Sequence, residues 1–270
     1  MTDVHRARAG LRAALASGER LTGVFVKLPC PDVLELAASA GFDLVVVDLE
    51  HSTLGDKEAL DLLRYADALG LPALVRLPRV DPPLVNRVLE AGAVGIQLSM
   101  LTSVAQREEL QAAVAYGPVG RRSVSLAHTG AGYGAVPLAG YLAAERADPP
   151  LLVGQIESRT TDPIEEVVAG LDVAFVGTTD LTVALGLDPD DAAGIRAEVD
   201  AVGAAALAAG VVFGGWAPRP DAAEGLGLGP AGYLVVGSDL QFLGAALRAA
   251  APSRPAAARP AAAPPSPEAR

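Results

Sequence analysis

The chain has 270 residues, and 21 Lys+Arg against 32 Asp+Glu leave a formal charge of −11. An acidic chain with scattered basic residues has no face that would release counterions from phosphates, so a nucleic-acid partner is excluded. A hydrophobic fraction of 51% supports a large buried core and excludes disorder throughout.

Residues 3–18 read as a short helix ahead of the first strand, placed to cover the floor of the fold. From 21 to 239 one theme repeats: a short run rich in Val, Ile and Leu, then an Ala/Leu/Glu-rich stretch of helical period. The apolar runs fall at 24–28, 43–48, 73–77, 94–98, 151–156, 173–176, 211–215 and 233–236. Helical stretches are predicted at 31–40, 57–69, 82–91, 104–115, 164–169, 195–209 and 221–226. Eight strands alternating with helices point to the α/β class and a closed (β/α)8 TIM barrel, with an open doubly wound sheet as the alternative. Residues 117–148, rich in Gly, Ala and Tyr and without a clear period, read as a long excursion between the fourth and fifth strands. Residues 252–270 are Pro/Ala-rich and predict a disordered tail, which leaves 1–251 as a single barrel domain. Cys30 is the only cysteine, the first ten residues lack the apolar run of a signal peptide, and no run approaches the roughly 20 residues of a membrane span. The expected location is the cytoplasm, without a membrane partner.

In a barrel the site gathers at the C-terminal ends of the strands. Asp48, Glu50 and His51 follow the second run, Arg76 ends the third, Gln155 and Glu157 close the fifth, and Thr178, Thr179 and Asp180 follow the sixth. Lys27, Ser99, Trp216, Ser238 and Asp239 end the others and are less informative. Glu157 and Asp180 are hard anionic oxygens on neighbouring strands, suited to Mg2+ or Mn2+ with positions left for substrate. The competing view makes each a salt bridge or a helix cap, with Asp180 capping the 181–185 stretch. Asp48, three residues before His51, is placed to orient the imidazole. The planar fork of Arg76 suits a substrate carboxylate, with a surface salt bridge as the lesser alternative. Lys27 is the candidate for a Schiff base, which nothing else supports. No P-loop, dinucleotide fingerprint or zinc spacing occurs in a suitable context.

The block AGFDLVVVDLEH (residues 40–51), VRLP (75–78), GQIE (154–157) and FVGTTDL (175–181) together resemble the HpcH/HpaI aldolases, class II metal-dependent pyruvate aldolases. The resemblance runs from about Gly23 to Asp239. It implies a barrel of the phosphoenolpyruvate/pyruvate-binding type that forms homo-oligomers, with a divalent cation (Mg2+, Mn2+ or Co2+) on Glu157 and Asp180. It also implies proton transfer at His51 paired with Asp48, substrate contacts from Arg76 and Gln155, a backbone N–H from Thr179, and a pocket wall at Trp216. The sequence departs from the family at Thr178 and Ser99, where proline is usual, at Glu90, where aspartate is usual, and at Ser123, where glycine is usual.

The expected activity is reversible cleavage of a 4-hydroxy-2-oxo acid into pyruvate and an aldehyde, with the cation stabilising the enolate. Two alternatives stand beside it. One is an oxaloacetate decarboxylase or an enolate-adding enzyme of secondary metabolism, suggested by the departures. The other is a non-catalytic binding protein on the same barrel, against which the full set of Asp48, His51, Arg76, Glu157 and Asp180 weighs.

Overall fold

Short runs of β-branched and leucine residues, in which every second side chain faces the same way, build the strands. The computed structural model describes residues 3–252 and has β1 (Leu21–Val26), β2 (Leu44–Asp48), β3 (Ala73–Leu77), β4 (Gly95–Leu98), β5 (Leu151–Ile156), β6 (Val173–Val176), β7 (Val212–Ala217) and β8 (Tyr233–Ser238). All neighbours pair in parallel, and β8 pairs back onto β1, so the sheet closes into a barrel. The open doubly wound alternative is thereby set aside. The predicted tail lies outside the described residues except for Pro252.

Alternation divides the core in two. Phe25, Leu44, Val46, Leu74, Val153, Phe175 and Val235 fill the barrel interior. The intervening residues, among them Val45, Val47, Val75 and Ile96, pack outward under the helices. The helix α1 (Asp3–Ser17) sends Val4, Leu11 and Leu15 into the interior cluster and closes the floor, as the sequence predicts.

The outer layer comprises α2 (Pro31–Ser39), α3 (Asp56–Leu69), α4 (Pro82–Glu90), α5 (Val104–Val114), α6 (Leu138–Ala147), α7 (Ile164–Val168), α8 (Thr178–Ala184), α9 (Ala192–Ala208) and α10 (Asp239–Ala250). Local chemistry sets the ends. Asp81 caps α4 by accepting from the Leu84 N–H at 3.1 Å, with Pro82 in the first turn, where its missing N–H costs nothing.

Two expectations need correction. The excursion is not wholly irregular: it holds a 3-10 turn (Thr129–Gly134) and α6, whose period is masked in the sequence by small residues. The helix expected at 221–226 shrinks to a 3-10 turn (Pro220–Ala222), because glycines at 225, 227 and 229 remove the side chains that favour helix.

Candidate active site

Inward alternation on three adjacent strands brings Asp48, Arg76 and Gln97 side by side, since Asp48 registers with Arg76 and Arg76 with Gln97. The wholly buried Asp48 carboxylate takes the Arg76 fork, with Nε 2.8 Å from Oδ1 and Nη2 2.6 Å from Oδ2. Lys27 Nζ is 3.2 Å from the same Oδ2. Burial works to raise the Asp48 carboxyl, but the hydrogen bond and charge of Arg76 and the N–H groups of His51 and Glu50 outweigh it and hold the group below its ordinary value. The Arg76 guanidinium also lies 4.2 Å from the centroid of the Phe25 ring. A buried arginine fixed in this way is not a surface salt bridge.

The expected contact between the Asp48 carboxylate and the His51 imidazole is absent. Asp48 Oδ1 instead accepts the backbone N–H groups of Glu50 at 3.0 Å and His51 at 3.2 Å, closing a local turn at the strand end. That turn directs the imidazole to the rim, where the side chain is 55% exposed and Nε2 is 3.8 Å from Glu50 Oε2. Glu50 is anchored in turn by the Ser99 hydroxyl, which donates to Oε2, and by Arg76 Nη1 at 3.3 Å.

Across the cavity, Glu157 leaves the end of β5 almost fully buried. Its Oε2 accepts the Met100 N–H at 2.9 Å and its Oε1 the Gln155 amide at 2.5 Å. Met100 has a left-handed φ of 51°, unusual for a residue with a side chain, and this conformation carries the N–H that meets Glu157. A Cβ on Gly177 would lie 2.5 Å from Glu157 Oε1, so this position must be glycine for the carboxylate to sit where it does. Burial, joined by the charges of Glu50 and Asp180, pushes the Glu157 carboxyl up to about 7, against the Met100 N–H. Asp180 is not a helix cap: Gly177 holds that place in α8, and Asp180 stands exposed in the first turn.

A cavity of about 300 Å3 joins these groups. His51, Arg76, Gln155, Glu157, Thr179, Asp180 and Trp216 line it, and of the residues expected in the site only Asp48 is not part of the lining. The donors fit a hard divalent cation: two mutually repelling carboxylates, one of them raised by burial and by the carboxylates beside it. Among the described residues no cluster of three or more His, Cys, Asp or Glu is arranged to hold a metal. Glu157 and Asp180 are the two carboxylates that line the cavity, a number that would suit Mg2+ with water and substrate completing its shell.

Sequence reasoning gave no role to Gln97 or Gly177, noted Glu50 and Ser99 at strand ends without a partner, and offered Lys27 only for a Schiff base. One signal was present: Gln97 interrupts the otherwise apolar run of β4, and a buried amide needs partners.

The HpcH/HpaI aldolase/citrate lyase family model matches residues 21–245. The hydroxypyruvate/pyruvate aldolase of Sagittula stellata is 35% identical over 179 residues, covering 65% of this chain and 69% of that protein. A 5-keto-4-deoxy-D-glucarate aldolase of Salmonella paratyphi A is 31% identical over 234 residues, 85% of this chain and 90% of the relative. The crystal structure of a family member from Burkholderia cenocepacia superposes with a TM-score of 0.80 at 28% identity, covering 89% of this chain and 97% of the other. With the rim carboxylates, arginine and histidine in one cavity, these likenesses set aside the non-catalytic binder, and the chain belongs to the HpcH/HpaI aldolase/citrate lyase family as an enzyme of the aldolase, carbon–carbon lyase kind.

Proposed function

We propose that this enzyme reversibly cleaves a 4-hydroxy-2-oxo acid into pyruvate and an aldehyde, with a divalent cation (Mg2+, Mn2+ or Co2+) held by Glu157 and Asp180. The observation that carries this reading is the placement of two carboxylates, Glu157 and Asp180, and a tethered arginine, Arg76, around one cavity with a histidine at its rim. The cation would supply Lewis-acid stabilisation to the negative charge that develops on the 2-oxo acid.

The chain's own groups do the rest. Asp48 takes Nε–H and one Nη2–H of Arg76, and Glu50 faces Nη1, so the guanidinium is immobilised with N–H groups left for substrate oxygens. Gln155 turns its amide N–H2 toward Glu157 and is one of the residues that line the cavity. The first N–H groups of α8, including that of Thr179, have no acceptor within the helix and suit a carboxylate. His51 stands where it can accept the 4-hydroxyl proton and return it in the synthetic direction, with Glu50 beside it. Phe25, Phe175 and Trp216 exclude water from the reacting bond.

Deuterium uptake into the pyruvate methyl group, followed by NMR in D2O on chelator-stripped protein with and without Mg2+, Mn2+ or Co2+, tests the reading. Metal-dependent exchange is expected, and its absence with every ion would overturn the proposal. Glu157→Ala should abolish the metal response, and His51→Ala should slow exchange by roughly 10²–10⁴.

Homo-oligomer formation is part of the same proposal. The α10 side chains Leu240, Leu243 and Leu247 are exposed, and an apolar groove of about 500 Å3 separates this helix from α2. No helix among the described residues is long and apolar enough to cross a membrane, and cytoplasmic residence remains part of the proposal.

A further inference from the structure

Inside the barrel a line of hydrogen bonds runs from the floor to the cavity. Tyr233, at the start of β8, donates its hydroxyl to Gln97 Oε1 at 3.3 Å. Gln97 Nε2 donates to Gln155 Oε1 at 2.5 Å, and Gln155 Nε2 donates to Glu157 Oε1 at 2.5 Å. Every member is at least 97% buried, so each polar group depends on the next for a partner.

The direction of the line follows from its two ends. Gln155 turns its N–H2 to Glu157 Oε1 and its carbonyl to Gln97, which is also the orientation that Glu157 requires once it is ionised, because a carboxylate only accepts. Gln97 must then present its own N–H2 to Gln155 and its carbonyl to Tyr233, which completes the line as an O–H donor. Burial pushes the Tyr233 phenol up, which keeps that O–H protonated. Both amides are therefore locked against rotation by 180°. Gln155 also has a second N–H, and the residue is one of those that line the cavity.

We propose that Gln97 and Tyr233 are positioning residues. Through two side-chain steps they fix the Gln155 amide so that it offers only N–H to the cavity, hold Glu157 for a cation, and select a substrate whose facing atom is an acceptor, such as a carboxylate or keto oxygen. This role rests on the proposed function insofar as it concerns the cation and the 2-oxo acid, whereas the line of hydrogen bonds is independent of it.

The test uses Tyr233→Phe, which removes one oxygen and keeps the ring, and Gln97→Leu, which removes the middle link. In the metal-free protein, 15N NMR of glutamine side chains should show the Gln97 and Gln155 amide pairs protected from solvent exchange. Gln97→Leu should move the Gln155 pair and expose it to exchange, and Tyr233→Phe should move the Gln97 pair. In parallel, Mn2+ affinity is read by the EPR signal of the free ion, and oxalate affinity by the fluorescence of Trp216, the only tryptophan. Each substitution should weaken both by about 10–100-fold, the usual effect of losing an outer partner of a ligand. The double variant should be no weaker than Gln97→Leu alone, because the line is cut once. Circular dichroism of both variants should match the parent. Native-like variants that bind Mn2+ and oxalate as tightly as the parent, or a Gln155 pair undisturbed by Gln97→Leu, overturn the inference. If the parent itself binds neither Mn2+ nor oxalate, the proposed function fails, and the NMR arm still decides whether the line exists.

Discussion

Glu157 is held in a place that disfavours its own charge, and that has a consequence for stability. Its carboxyl rises on folding from 4.5 to about 7, so between these values the folded metal-free protein keeps a proton that the unfolded chain has lost. Stability is full below the unfolded value and declines as pH rises through this window, by up to about 3 kcal/mol. Glu157→Gln should flatten the fall of Tm between pH 4.5 and 7, and a slope that survived the substitution would have to come from another group. Gly177→Ala acts on the same carboxylate from outside. Its methyl would stand 2.5 Å from Glu157 Oε1, displacing it and weakening Mn2+ binding about 10–100-fold by titration. Gly177 is the N-cap of α8, where alanine is the poorer residue, and the clash falls on a buried side chain, so Tm should fall as well.

Between elements, the excursion is tied to the barrel floor by one buried acid. Glu145 on α6 accepts from Arg8 Nη1 at 3.0 Å and pairs with His5 Nε2 at 3.0 Å, both on α1, while Arg122 Nη1 reaches its other oxygen at 2.9 Å. Burial works to raise the carboxyl, but the His5 hydrogen bond and the arginine charges outweigh it and bring it down to about 2. This cluster therefore contributes stability above the unfolded value of 4.5 and loses it as pH falls toward 2. Glu145→Ala would leave Arg8 and Arg122 buried without their shared partner and should cost about 3–5 kcal/mol in urea unfolding. None of this was legible in the sequence. Contacts across 137 and 140 positions leave no local pattern, and the Gly- and Ala-rich stretch conceals the helix that carries Glu145.

At the level of the assembled protein, the exposed leucines of α10 predict association. Light scattering should give at least twice the mass of one chain, and Leu243→Glu with Leu247→Glu should shift the protein toward monomer, because charges in an apolar contact lose their hydration. A monomer in the parent protein would refute this use of the helix. A barrel also explains why one cavity holds the chemistry: parallel strands all end on the same rim, so residues as distant as 51 and 216 share one space.

The strands were legible because burial on a pleated surface imposes its own periodicity, and the runs at 73–77, 151–156 and 173–176 match β3, β5 and β6 residue for residue. That polar residues at the ends of apolar runs gather around one cavity was legible for the same reason, since they fall on the rim. Partnership was not legible. Proximity in the chain suggested that Asp48 orients His51, but side chains on a pleated strand alternate and the strand end turns on itself. Closure of the barrel gives Asp48 to Arg76 and Lys27, and Glu50 to His51 and Ser99. The line from Tyr233 to Glu157 lay equally beyond reach, because it joins three strands through the barrel interior. Local pattern selects which side chains face inward, whereas the curvature and register of the closed sheet decide which of them meet.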